Sequence, residues 1–128
     1  LWLEFDYELK PEGKMPDFFA CADALLITLK KADILSYTIP SKLQSYLACG
    51  KPIIGSLDGI GNEIIKQSNS GYADEAENSK LLAGNILKLT KSSSKERKDF
   101  SSNSVEYFQK NFNKEFLLKR LENIFLQN

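Results

Sequence analysis

The chain has 128 residues, 42% of them hydrophobic, and its 17 acidic residues balance 17 basic ones. This length suits one domain with its own hydrophobic core, and a net charge of zero argues against a nucleic-acid partner, which would need a basic surface. Because the sequence contains no histidine, Ser-His-Asp catalysis, Cys-His catalysis and most zinc sites are excluded.

The first quarter of the chain shows strand and helix patterns in alternation. Apolar residues at alternate positions predict a strand over 1–7, which is followed by a Pro/Gly loop over 8–14 and a short helix over 15–22. The near-continuous apolar run at 24–29 predicts a strand in a sheet that is covered on both faces. Cys21 and Cys49 lie inside apolar helical patterns, which predicts two buried free thiols and fits a reducing compartment.

The middle of the chain repeats this alternation, and three helices follow it. A polar loop over 30–40 precedes a predicted helix over 41–49, with Gly50 as its stop. Next come a strand over 53–56, a glycine loop over 57–61, a helix over 62–68 and a minimal strand over 71–73. Helices are predicted over 78–91, 94–110 and 114–126. Strands that alternate with helices predict an α/β fold with a parallel sheet, whose sites lie at the carboxyl ends of the strands.

The start of the helix over 41–49 has the features of an anion site. Ser41 is a good N-cap residue and Lys42 lies in the first turn. Free backbone amides and the helix dipole both favour phosphate at such a helix start. The alternative is an ordinary N-cap beside a solvated lysine, and the local pattern alone does not separate the two.

Two longer stretches carry a family resemblance. The run PSKLQSYLACGKPII at 40–54, followed by GIGNEII at 59–65, resembles the nucleotide-sugar-binding half of family-4 glycosyltransferases of the GT-B type, in the subgroup with a PSK loop. The segment MPDFFACADALL at 15–26 is similar to an upstream segment of that group. The resemblance implies a partial Rossmann-like parallel sheet with C-terminal helices. It also implies that residues 1–128 form a single donor-binding domain, a fragment without its first strand-helix units and without the N-terminal acceptor domain.

The same resemblance implies an activity for the whole protein. Such an enzyme transfers a sugar from a nucleotide-diphosphate donor, most often linked to UDP, to a glycan or a lipid-linked acceptor. The reaction retains the anomeric configuration and uses no metal and no cofactor. The resemblance implies a cytoplasmic protein, and for the full-length protein a peripheral position at the inner face of the membrane is the alternative. It also implies that residues 1–128 alone are inactive. Two alternatives stay open: a non-catalytic nucleotide-sugar-binding subunit, and a nucleotide-sugar epimerase.

The resemblance also assigns roles to single residues. Ser41 and Lys42 would hold the donor diphosphate. Gly59, Gly61 and Glu63 match the family's glycine loop and the glutamate after it, where glycine would let the backbone approach the donor or the facing domain. The alternative for these three residues is a plain turn with a glutamate in the first turn of the next helix.

The chain departs from the family at two positions. Many members carry two glutamates eight residues apart, near the transferred sugar and the ribose, where this chain has Tyr37 and Ser45. Ser45 remains a candidate for a hydrogen bond to the ribose, although a hydroxyl is a weaker acceptor than a carboxylate. The departure leaves the sugar specificity and the activity itself open, and the catalytic residue is not identified.

The last predicted helix carries an apolar stripe. Its members are Leu117, Leu118, Leu121, Ile124 and Phe125. In the resembled fold such a helix crosses back to the acceptor domain. In residues 1–128 alone the stripe is expected to stay exposed and to promote self-association.

Overall fold

The computed structural model describes residues 15–127, with side chains from residue 17 onward. The strand predicted over 1–7 and the loop over 8–14 lie outside the described residues. Among residues 15–127, none of the helices combines the length and the hydropathy that a membrane-spanning segment requires.

The described residues form an α/β fold with three strands and seven helices. The strands are β1 (Leu25–Thr28), β2 (Ile53–Ser56) and β3 (Gly71–Asp74). The helices are α1 (Met15–Cys21), α2 (Asp33–Ser36), α3 (Ser41–Cys49), α4 (Gly59–Gln67), α5 (Ser79–Lys91), α6 (Ser94–Asn111) and α7 (Lys114–Leu126). The strands pair in parallel in the order β1-β2-β3. The predicted α/β, partial Rossmann-like parallel sheet is therefore confirmed.

The sheet separates two apolar clusters because neighbouring residues of a strand point to opposite faces. On one face α1, α3 and α4 contribute to the main core, whose fully buried members are Leu43, Leu47, Ile53, Leu57 and Ile65. On the other face a smaller cluster joins Ile54 of β2 to Leu89 of α5 and Phe100 of α6. All four residues of β2 are buried, which fits its central position.

Several boundaries differ from the sequence-based expectation. The segment predicted as the loop over 30–40 contains α2, and the segment predicted as the glycine loop over 57–61 includes the start of α4. The run over 24–29 was predicted to be covered on both faces, but Leu26 is exposed within the described residues. Cys21 is exposed and Cys49 is partly exposed, so the prediction of two buried thiols was wrong, although both cysteines are free.

A tyrosine of α3 satisfies a carbonyl on the side of β1 that faces away from β2. Leu25 and Leu29 donate their amides to the β2 side, at Pro52 and Ser56, so the backbone of Leu26 faces the other way. The buried Tyr46 hydroxyl donates to the Leu26 carbonyl at 3.1 Å. This bond ties the middle of α3 to β1.

We expect Tyr46→Phe to lower the free energy of unfolding by about 1 kcal/mol at neutral pH, because one hydrogen bond is lost and a partly buried carbonyl loses its partner. Burial raises the Tyr46 pKa above its ordinary value of 10.0, so the folded state favours the neutral phenol. This contribution is complete below pH 10 and is lost as the pH rises through the folded-state pKa. Urea denaturation should therefore show a shallower alkaline loss of stability in the variant. If both proteins lost the same stability at alkaline pH, the Tyr46 phenol would not be the group responsible.

Candidate functional site

An open cleft lies at the carboxyl end of β1. It has a volume of about 460 Å³ and lies between the end of that strand, the segment around α2 and the start of α3. Thr28 and Leu29 line one side, Leu35 and Thr38 line the other, and Pro40, Ser41 and Lys42 complete the lining together with Leu26 and Ile27. The cleft therefore lies where ligands bind in open parallel sheets, outside the carboxyl ends of the strands.

The start of α3 presents unpaired donors to this cleft. Pro40 is the N-cap residue, with φ −61° and ψ 132°, and no side chain caps the helix. The first backbone bond of the helix runs from the Leu43 amide to the Pro40 carbonyl at 3.0 Å. Within residues 15–127, no acceptor pairs with the amides of Ser41 and Lys42. Two free N–H groups, the positive end of the helix dipole and the Lys42 ammonium group are thus available to an anion.

The capping role predicted for Ser41 was wrong by one position. Ser41 is the first residue of α3, and Pro40 takes the N-cap place. Because proline fixes its own φ and lacks an N–H, it ends the extended segment without contributing a cap. The Ser41 side chain is exposed at the cleft, as is that of Lys42.

Ser45 and Tyr37, which stand where the family has glutamates, both lie outside the lining of the cleft. The Ser45 hydroxyl donates to the Ser41 carbonyl at 3.4 Å, one turn back along α3, and Ser45 is not among the residues that line the cleft. Tyr37 follows α2 and is 79% exposed. Neither side chain supplies a carboxylate, and the Ser45 hydroxyl donates its proton within its own helix.

Gly59 and Gly61 lie where α4 packs against the segments that line the cleft. Gly59 has φ +68°, and a Cβ atom there would lie 2.0 Å from the carbonyl oxygen of Ser36 in α2. A Cβ at Gly61 would lie 2.5 Å from Leu57 and 3.4 Å from Pro40. Both glycines belong to the first turn of α4 rather than to a loop before it. They allow α2 and the start of α3 to pack closely on α4.

Glu63 lies one turn further along α4 than predicted. It is exposed and falls in the second turn of the helix, so the expected position in the first turn, where the dipole favours an acid, was wrong. It is not among the residues that line the cleft.

A second, smaller cleft adjoins the first on the α5 side. It has a volume of about 330 Å³, and Thr28 and Leu29 line both clefts. The Glu77 carboxylate accepts a bond from the Lys31 amide at 3.1 Å, and Glu77 itself has φ +62°. The segment before α5 is also held by Asp58, whose Oδ1 accepts from the Ala76 amide at 3.0 Å. These bonds join the loops that follow the three strands.

Sequence reasoning did not single out Glu77 or Asp58. Their partners are 46 and 18 residues away along the chain, so no local pattern marks them. Within the described range, no group of three or more histidine, cysteine, aspartate or glutamate residues is placed to hold a metal ion.

Comparisons with known proteins return no match: no family model matches the chain, and neither a curated protein nor a solved structure matches it.

Proposed function

We propose that this chain is the donor-binding part of a glycosyltransferase that takes a sugar from a nucleotide-diphosphate donor, with UDP as the favoured nucleotide, and passes it to a glycan or a lipid-linked acceptor. One observation carries the proposal. The cleft at the carboxyl end of β1 brings together the free amides of Ser41 and Lys42 and the Lys42 ammonium group. The run PSKLQSYLACGKPII, which resembles the donor-binding segment of GT-B enzymes, includes these residues and supports the proposal.

The chemistry asked of this cleft is charge stabilisation. When the bond between the sugar and the diphosphate breaks, negative charge develops on the departing phosphate oxygen. Amides fixed at a helix start and a nearby ammonium group stabilise that charge without reorganising. Ser41 and Lys42 supply these groups. The family resemblance implies that the reaction is metal-independent and retaining. The acceptor site would belong to the part of the enzyme that faces this cleft.

Lys42→Ala should weaken UDP binding by about tenfold or more, because a charge-assisted interaction with phosphate contributes roughly 1.5–3 kcal/mol. We expect the wild-type chain to bind UDP weakly, with a dissociation constant on the order of 1 mM. Ligand-observed NMR with UDP, GDP, ADP and their sugars measures this directly. Lys42→Arg should restore only part of the affinity, because the guanidinium group differs in size and shape.

Lys51→Ala is the matched control for this prediction. Lys51 follows α3 at its far end, a helix length of about 13 Å from Lys42, and it lines a different pocket with Pro52 and Arg97. The control should bind UDP as the wild type does. Equal losses in the two variants would show a general effect of positive charge and would remove Lys42 from the phosphate site. Failure of every nucleotide to bind would contradict the proposed function itself.

A non-catalytic nucleotide-sugar-binding subunit is the second candidate. The Ser45 hydroxyl is engaged with the Ser41 carbonyl, and Tyr37 stands at the other glutamate position, so neither family carboxylate is present. Binding of a nucleotide sugar without its consumption, tested on the full-length protein with acceptor present, would favour the subunit. Release of nucleotide diphosphate above the blank rate would favour the transferase.

A further inference from the structure

Glu77 holds the segment that carries one wall of the larger cleft. Leu35 and Thr38 of this wall belong to the segment 30–39, which lies between β1 and the N-cap residue of α3. Among the hydrogen bonds of residues 15–127, only the one from the Lys31 amide to the Glu77 carboxylate, at 3.1 Å, ties this segment to another part of the fold. Its other hydrogen bonds are internal and form the turns in and around α2.

The two ends of this segment are held in different ways. Ser36 in α2 lies so close to Gly59 that a Cβ there would be 2.0 Å from the Ser36 carbonyl oxygen, so packing fixes this part. The part near β1 has the bond to Glu77 instead. Thr28 and Leu29, which precede this part directly, line both clefts. A shift of this part would therefore change the shape of both clefts.

Glu77 lies at a fixed place and in a strained backbone conformation. The amide of the preceding residue, Ala76, donates to the Asp58 carboxylate at 3.0 Å. Glu77 itself has φ +62°, a left-handed value that is uncommon for a residue with a Cβ. Such strain persists only where the surrounding structure determines it, and it is frequent at functional sites. A glycine would adopt this backbone without strain, but it could not accept the bond from Lys31.

We propose that Glu77 is a positioning residue for the nucleotide: its carboxylate holds the segment 30–39 so that the cleft wall is in place before the ligand binds. The inference rests on the proposed function, because it takes UDP as the occupant of the cleft. If the bond were lost, the wall would take its binding position for only a fraction of the time. The apparent affinity would then fall by that fraction. Glu77 acts through the backbone of Lys31 and does not touch the nucleotide.

Glu77→Gly tests the proposal, because charge and positioning predict opposite results. Removing a negative charge from the adjoining cleft should, by charge alone, strengthen the binding of an anionic nucleotide. We expect UDP instead to bind about three- to tenfold more weakly, since the released wall is correctly placed for only part of the time. Glycine suits the left-handed backbone, so the urea midpoint should change little. NMR titration with UDP measures the affinity, and unchanged or tighter binding would overturn the positioning role.

Glu77→Gln is the conservative variant. Its side-chain amide oxygen can still accept from the Lys31 amide, so the UDP affinity should stay within about twofold of the wild type. A loss as large as that of Glu77→Gly would show that the charge of Glu77 matters rather than its bond. This result would also overturn the positioning role.

Asn69→Gly is the matched control for the backbone. Asn69 also has a positive φ, of 48°, and it precedes β3, at the end of the sheet opposite to the cleft. The change relieves the same kind of strain and keeps the Asn69 carbonyl, which accepts from the Asn103 side chain. This variant should bind UDP as the wild type does. Equal losses in Asn69→Gly and Glu77→Gly would show a general effect of the added glycine and would contradict the proposal.

Amide hydrogen exchange of the ligand-free chain separates this proposal from the proposed function. The Lys31 amide should exchange more slowly in the wild type and in Glu77→Gln than in Glu77→Gly, because only the first two offer it an acceptor. Equal exchange in all three proteins would overturn the role of Glu77, whatever UDP does. A wild-type chain with a protected Lys31 amide that binds no nucleotide would support the positioned wall and contradict the proposed function.

Discussion

Gly59→Ala is expected to lower the free energy of unfolding by about 3 kcal/mol, the sum of backbone strain and a steric clash. Gly59 has φ +68°, a left-handed conformation that costs a residue with a Cβ roughly 1–2 kcal/mol. The added Cβ would also lie 2.0 Å from the Ser36 carbonyl oxygen, so α2 must move away from α4. Because α2 belongs to the wall of the cleft, nucleotide binding should weaken together with stability. Urea denaturation followed by circular dichroism measures the first effect, and NMR titration with UDP measures the second.

Gly84→Ala provides the matched control for this change. Gly84 lies within α5, and no atom approaches within 4 Å of the position its Cβ would take. Alanine is the better helix former, so this variant should gain about 0.5–1 kcal/mol. If Gly59→Ala lost less than about 1 kcal/mol, α2 would move freely. The close contact between α2 and α4 would then have no role in shaping the cleft.

The regular elements were predictable because their apolar periodicity is local. The helix over 41–49 was predicted with the bounds that α3 has, and the strand over 53–56 coincides with β2. In α3, Leu43, Tyr46 and Leu47 recur at helical spacing and are the buried residues. Gly50 ends the helix in the left-handed conformation, with φ +65°, as a glycine at this place predicts.

The segments that shape the cleft were less predictable. The helix α2 has only four residues, which are too few to display a helical period in the sequence. Gly59 was predicted to belong to a loop, but it begins α4 and lies so close to α2 that a Cβ there would meet the Ser36 carbonyl oxygen. The exposure of Cys21 depends on which side of α1 meets the core, and no local pattern specifies this.

The candidate site shows the same division. Ser41 and Lys42 could be singled out as candidates from the sequence because a helix start is a local feature, although the N-cap residue is Pro40. The bond between Glu77 and the Lys31 amide spans 46 residues, and only the tertiary fold brings the two loops together. Whether Ser45 faces a ligand depends on its side-chain conformation, which here turns back to the Ser41 carbonyl.

Leu47→Ala should lower the free energy of unfolding by roughly 2–5 kcal/mol, because removing a fully enclosed leucine side chain forfeits its transfer energy and leaves a cavity. Leu47 has no exposed surface and belongs to the main core, with Leu43 and Ile65. A loss of this size is a large share of the total stability of a domain, which is about 5–15 kcal/mol. Urea denaturation should show an earlier midpoint with an unchanged slope.

Leu87→Ala is the control for this truncation, since an exposed leucine should change stability by less than about 0.5 kcal/mol. The inner face of α3 determines where Ser41 and Lys42 lie. Comparing Leu47→Ala with Lys42→Ala therefore distinguishes an effect on folding stability from an effect on UDP binding. At urea concentrations where the variant remains folded, UDP affinity should match the wild type, whereas Lys42→Ala should reduce affinity at unchanged stability. A Leu47→Ala protein that keeps wild-type stability would show that α3 is not anchored by this residue, and the proposed phosphate site at the start of α3 would lose that support.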